Sequence, residues 1–150
     1  MKSKSKRKPC SRTTRCGSYS LLIRFPATRL VSVGKLGVFE FARGYYVYTG
    51  SALSGLEARI AHHLQTKTRP RWHVDFLLAA PGAHVERWIE WETSNRSECE
   101  LNRRFLQWPG ASVPVPGFGS SDCTAGCPAH LVYFRSKPDI ERIAAKRTRA

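Results

Sequence analysis

The sequence predicts an α+β domain: a small, mostly antiparallel central sheet flanked by helices. Three observations carry that expectation. The N-terminal third holds short aromatic and β-branched runs broken by Gly and Pro, the pattern of strands joined by tight turns. Two later stretches, residues 53–64 and 98–108, repeat apolar residues at helical spacing. A length of 150 residues suffices for one proper core and not for two.

Residues 1–16 form a basic arm, carrying Lys2, Lys4, Lys6, Arg7, Lys8, Arg12 and Arg15. Residues 18–25 read as a strand, apolar on both faces near its centre and closed by Pro26. Residues 30–33 and 37–41 read as a hairpin turning at Gly34-Lys35-Leu36. A Tyr-rich strand starts at Gly44 and stops at Gly50-Ser51, with caps for the next helix at residues 51–54. That helix runs to about Gln65. Its apolar stripe is Leu53, Leu56, Ile60 and Leu64, with His63 at the stripe's edge, Arg59 beside it and His62 toward solvent. A short helix is expected over residues 72–80, an edge strand over 84–91, and a helix from Glu98 that Ser97 caps. A Gly/Pro/Ser loop over 109–126 leads to a last strand at 130–134. The domain thus spans residues 17–136, and residues 137–150 form a basic C-terminal tail.

Charge narrows the partners. The chain carries 25 Lys+Arg against 11 Asp+Glu, a formal charge of +14. Such a surplus favours polyanions, nucleic acid above all, because neutralising phosphates releases counterions. No stretch approaches the roughly 18 apolar residues of a membrane span, so no membrane partner is expected. The basic N-terminus has no apolar signal core behind it. With five cysteines, an odd count, a reduced cytoplasmic chain is expected.

Phosphodiester cleavage needs an activated water, a group that steadies the phosphate and, commonly, a divalent metal on oxygen ligands. The residues suited to it are Tyr19 and Tyr48, Arg59, His63, and Glu98 or Glu100. Their order matches a known pattern. Gly17-Ser18-Tyr19 and Tyr48-Thr49-Gly50, followed by a helical Arg59, resemble the signature of the GIY-YIG endonuclease superfamily. The blocks Gly34-Lys35-Leu36-Gly37, Tyr45-Tyr46-Val47-Tyr48, Trp72-His73-Val74-Asp75, Glu98-Cys99-Glu100-Leu101 and Gly117-Phe118-Gly119-Ser120-Ser121-Asp122-Cys123 resemble its Uri-type branch.

The resemblance covers about residues 17–135 and implies a GIY-YIG-like fold with an inserted hairpin. It implies a metal-dependent endonuclease (nuclease, hydrolase) using Mg2+ or Mn2+. Tyr19 or Tyr48 matches the general base, Arg59 the phosphate-contacting arginine, and His63 the histidine one turn later. Glu98 matches the metal ligand. Glu100 is the fallback, since the two lie roughly 200° apart around a helix. Ser18 departs from the usual apolar residue of the first triplet.

Lys35, Arg43, Lys67, Arg69 and Arg71 are loop-borne candidates for DNA backbone contact, reading structure rather than sequence. The same residues also fit plainer roles: core tyrosines, a helix-face pair and solvated loops. On that reading the chain is a catalytically inactive nucleic-acid-binding module of the same fold. His73 and Asp75 stand two residues apart and share no helix face, which points to capping or core hydrogen bonds. Asp122 is read as closing the long loop. Cys99, Cys123, Cys127 and His130 offer a zinc ligand set; three free thiols in the interior are the alternative. The preferred DNA structure, the pathway and the oligomeric state do not follow from the sequence.

Overall fold

The computed structural model describes residues 15–52, 55–65, 70–92, 97–120, 123 and 125–145. Along the chain run β1 (Gly17–Phe25), β2 (Arg29–Ser32), β3 (Val38–Phe41), β4 (Gly44–Ala52), α1 (Leu56–Leu64) and α2 (His73–Leu78). Then follow β5 (His84–Glu92), α3 (Glu98–Leu106), β6 (Leu131–Phe134) and α4 (Ile140–Ala145). The central sheet has the order β5-β1-β4-β6, and every pairing in it is antiparallel. β2 and β3 pair only with each other, through a 3-10 turn at Gly34–Leu36, as the hairpin reading expects. β5 is an edge strand, also as expected.

The sheet separates two apolar layers because successive strand residues point to opposite faces. From β1, Tyr19, Leu21, Ile23 and Phe25 face one way, packing with Tyr46 and Tyr48 of β4, Leu56 and Ile60 of α1, and Val74 and Leu77 of α2. Leu22 faces the other way, joining Val47, Val132, Leu101 and Phe105 of α3, and Ile140 and Ile143 of α4. Apolar residues on both faces of β1 and β4 are therefore buried by helices on both sides, which is why β1 shows no clean apolar–polar alternation.

Four details correct the sequence reading. β4 continues through Gly50-Ser51 to Ala52, so Ser51 is a strand residue, and Gly55 holds the N-cap position of α1 without a side-chain cap. Leu56, Ile60 and His63 (i, i+4, i+7) make the inward stripe, whereas Leu64 is 48% exposed. The expected stripe rests partly on Leu53, which lies outside the described residues. Cys16, just before β1, is disulfide-bonded, so the expectation of an entirely reduced chain fails there, while Cys99, Cys123 and Cys127 are free.

The last correction concerns the C-terminal segment. Within residues 137–150, read as a tail from its Lys and Arg content, α4 buries Ile140, Ile143 and Ala144 against α3. Two isoleucines at i, i+3 outweigh the surrounding charge because they complete the second layer. Ile143→Ala is therefore expected to cost about 2–5 kcal/mol of stability, read from the denaturation midpoint. A shift of only a few tenths would return this segment to the status of a tail.

Candidate active site

Tyr19 lies on β1 directly opposite Gly50 of β4. The ring needs that glycine: a Cβ at position 50 would sit 2.7 Å from the Tyr19 hydroxyl. With the space open, the Tyr19 hydroxyl reaches over β4 to His63 Nε2 at 2.7 Å. Tyr48, two residues before Gly50 on the same strand face, closes the group, with ring centroids 6.3 Å from Tyr19 and 6.0 Å from His63. Arg59 stands one helical turn before His63. Its guanidinium lies 4.5 Å over the Trp72 ring, and its Nη1 donates to the Ser51 carbonyl at 3.4 Å. Indole and carbonyl thus orient the guanidinium from two sides.

Behind His63 stands a fully buried carboxylate, Asp75 of α2. Its Oδ1 is 3.8 Å from His63 Nδ1, and its Oδ2 is 3.3 Å from His62 Nε2. Oδ2 also accepts the backbone N–H groups of Arg71 at 2.9 Å and Trp72 at 3.1 Å, which caps α2. Burial pushes the Asp75 carboxyl up, but donation from His63, Arg71, Trp72 and His62 outweighs it and holds the group well below the usual carboxylate range. His62 does not project into solvent as its helical phase suggested. The start of α2 packs on that flank of α1, where His62 meets Asp75 and the edge of Trp72. The sequence points to capping or core hydrogen bonds for Asp75, and the structure shows the cap; its place behind His63 comes from the packing of α2. His73 takes the plain structural role, with Nδ1 accepting the Gly119 N–H at 2.8 Å and burial lowering its pKa.

Burial also sets the state of the two phenols. It raises Tyr19 well above its ordinary pKa; Tyr48 adds to the rise and the Arg59 guanidinium opposes it. Tyr48 is pushed up to about 12, chiefly by burial, again with Arg59 opposing. Both hydroxyls therefore stay protonated at neutral pH. The charge of Glu98 raises both phenols, so its carboxylate lies within their electrostatic reach. Glu100 is exposed and pairs with Arg104 at 3.2 Å along the helix. α3 packs its Leu101 and Phe105 on the opposite sheet face, but its first turn is pinned beside β1, where the Ser97 N–H donates to Ser18 Oγ at 3.2 Å. Ser18 thereby does what an apolar residue there could not.

Of the basic residues singled out for DNA contact, Arg71 lies at the rim of this site, 5.4 Å over the Trp72 ring beside Arg59. Lys35 is exposed on the hairpin turn. Arg43 is at the opposite end of β4, roughly 16 Å from Tyr48 along the strand, where it lines a cavity of about 360 Å³ with Arg24 and Arg135. Nearness in sequence misplaced it, because a strand carries five residues that far. Lys67, Arg69 and Asp122 lie outside the described residues. Trp72 was missed as a platform for two guanidinium groups. Its position in a basic loop, Arg69-Pro70-Arg71-Trp72, was the available signal.

Two groups of side chains each converge within 4.8 Å: Cys99, Cys123, Cys127 and His130, and separately His62, His63 and Asp75. The second belongs to the hydrogen-bonded site already described. Among the described residues no helix is long and apolar enough to cross a membrane. A family model described as "Domain of unknown function DUF123" matches residues 18–150. No curated protein and no solved structure matches the chain.

Proposed function

The chain belongs to the DUF123 family, whose description assigns no activity, and we propose that it is a GIY-YIG-type endonuclease that hydrolyses DNA phosphodiester bonds. The supporting observation is the contact of Tyr19 with His63 at 2.7 Å, with Asp75 behind it and Tyr48, Arg59 and Glu98 all acting on the same hydroxyl.

A phenol held protonated is a poor base on its own. Tyr19 overcomes this by passing its proton on: as its oxygen takes a proton from water, its own proton moves to His63 Nε2. The imidazolium so formed faces the Asp75 carboxylate, whose Oδ1 lies 3.8 Å from Nδ1, and the mechanism uses the tautomer that carries Nδ1–H and leaves Nε2 to accept. Asp75 is thus a positioning residue. Arg59 offers two parallel N–H groups to the phosphate oxygens. The hydroxide produced displaces one ester oxygen.

The Glu98 carboxylate suits a hard divalent cation, which takes few protein carboxylates and keeps several waters. Glu98 would hold Mg2+ or Mn2+. When bound, such an ion supplies positive charge for the leaving oxygen.

Incubating the protein with branched, nicked and single-stranded DNA, with and without Mg2+ or Mn2+, tests this reading. Metal-dependent cleavage of at least one substrate is expected, with Arg59→Ala and Glu98→Ala each slower by about 10²–10³-fold. Absence of cleavage by the wild type on every substrate, or variants that cut as fast as it does, would refute the enzyme. Salt-sensitive binding without cleavage would leave the nucleic-acid-binding module.

A further inference from the structure

We propose that Cys99, Cys123, Cys127 and His130 hold a structural zinc ion that clamps the first turn of α3 to the loop in front of β6. The four come from three places in the fold. Cys99 is in the first turn of α3, Cys123 and Cys127 are in the long loop, and His130 immediately precedes β6. Each offers one ligand atom, and all four atoms lie within 4.8 Å of one another.

The separations fit one small ion. Tetrahedral zinc with Zn–S bonds of about 2.3 Å requires S···S edges of about 3.8 Å and slightly shorter S···N edges. Cys99 Sγ is 3.5 Å from Cys123 Sγ and 3.7 Å from His130 Nε2. Three thiols and one imidazole make a complete, closed set for zinc. Hard cations prefer oxygen donors, and iron–sulfur clusters commonly want four cysteines. A disulfide would use only two of the three sulfurs and would leave His130 without a role.

The backbone around the cluster is already held in place. His130 N–H donates to the Phe118 carbonyl at 2.8 Å, and its own carbonyl accepts from Thr49 of β4 at 3.1 Å. Asn102, one turn along α3 from Cys99, donates from Nδ2 to the Ala129 carbonyl at 2.6 Å. Gly117 N–H donates to the Pro128 carbonyl at 2.7 Å, and Arg103 Nη2 to that of Ala125 at 3.3 Å. Bonds that do not involve the four ligand side chains therefore anchor the loop on both sides of Cys127, which lowers the ordering cost of binding.

The clamp has a consequence for the neighbouring site. Cys99 directly follows Glu98. On the loop side, a Cβ at Gly119 would lie 3.0 Å from the Tyr48 ring and 3.4 Å from His130 Cβ. An ion at the cluster would fix the Glu98 turn relative to Tyr48. That role for Glu98 rests on the nuclease reading; the zinc does not.

The test reads metal and not cleavage, so the two proposals fail separately. Protein from zinc-supplemented culture, dialysed and analysed by elemental mass spectrometry, is expected to hold about one zinc per chain. Cobalt exchanged into it should give the visible d–d and thiolate charge-transfer bands of tetrahedral cobalt. Alkylation of the free thiols should be slow until a chelator removes the metal. Cys127→Ser should lose the zinc; if that variant does not fold, the wild-type stoichiometry and the cobalt spectrum still decide. Folded wild type that holds no zinc and takes up no cobalt, or that contains a Cys99–Cys123 disulfide in place of metal, overturns the proposal.

Discussion

Asp75→Asn is expected to slow DNA cleavage by about 10³–10⁴-fold while leaving DNA affinity nearly unchanged. Asparagine keeps the shape of the side chain and loses its charge. In the proposed mechanism the imidazolium formed when His63 takes the Tyr19 proton would then face a neutral amide. The substitution also turns an NH2 group toward the Arg71 and Trp72 N–H donors or toward His63, whichever way the amide is placed. A fall in stability of several kcal/mol should accompany it, as for other broken buried charge networks.

The pH dependence follows from the sign of the shift. Asp75 has its carboxyl depressed in the folded state, so its contribution to stability is fully present above about pH 4, the ordinary carboxylate pKa. It drains away as the pH falls below that value. Asp75→Asn should lack this acid limb, which urea denaturation at several pH values between about 2 and 7 would reveal. Cleavage at wild-type rate by a folded Asp75→Asn would remove Asp75 from the mechanism. A wild-type stability that stays flat through the acid range would remove the electrostatic account of its burial.

The second large effect is expected from Gly50→Ala. The added methyl would meet the Tyr19 hydroxyl at 2.7 Å and its ring carbon at 2.9 Å, well inside ordinary contact. Tyr19 is fully enclosed, so its ring must swing away from His63 or the two strands must part. Either response costs roughly 1–3 kcal/mol as overpacking and breaks the 2.7 Å contact on which the proposed water activation rests. Cleavage should fall to the level of Tyr19→Phe, and combining the two changes should add little, since both remove one interaction. Measuring both single variants and the double variant checks this. Fully additive losses would mean that Gly50 acts through something other than the phenol.

The fold was legible where a pattern is local. Strand β1, the hairpin, the edge position of β5 and the helices α1 to α3 follow from apolar spacing and from Gly and Pro punctuation. Interactions that depend on which element packs where were not legible. The engagement of His62 depends on α2 lying against α1, which nothing within residues 56–64 encodes. α4 was hidden because its charged neighbours dominate the composition, while only two isoleucines and an alanine do the packing. At the candidate site, Tyr19, Tyr48, Arg59 and His63 follow from residue chemistry and the GIY-YIG resemblance, and the structure brings them together. Asp75 stands two residues from His73 in the sequence, and the fold gives the two no shared role. Its real partners are thirteen and twelve positions earlier, on another helix.

The alternation along β1 has a consequence for how such a chain can change. Ser18 anchors the start of α3, Tyr19 points toward His63, and Leu22 and Ile23 fill separate layers. Deleting or inserting a single residue here would exchange every inward and outward role at once, so length variation in this strand is forbidden on both counts. Between Arg29 and Phe41 the chain pairs only with itself. Additions at that turn would leave the pairing of the central strands untouched, which makes it the natural place for new exposed surface to be grown.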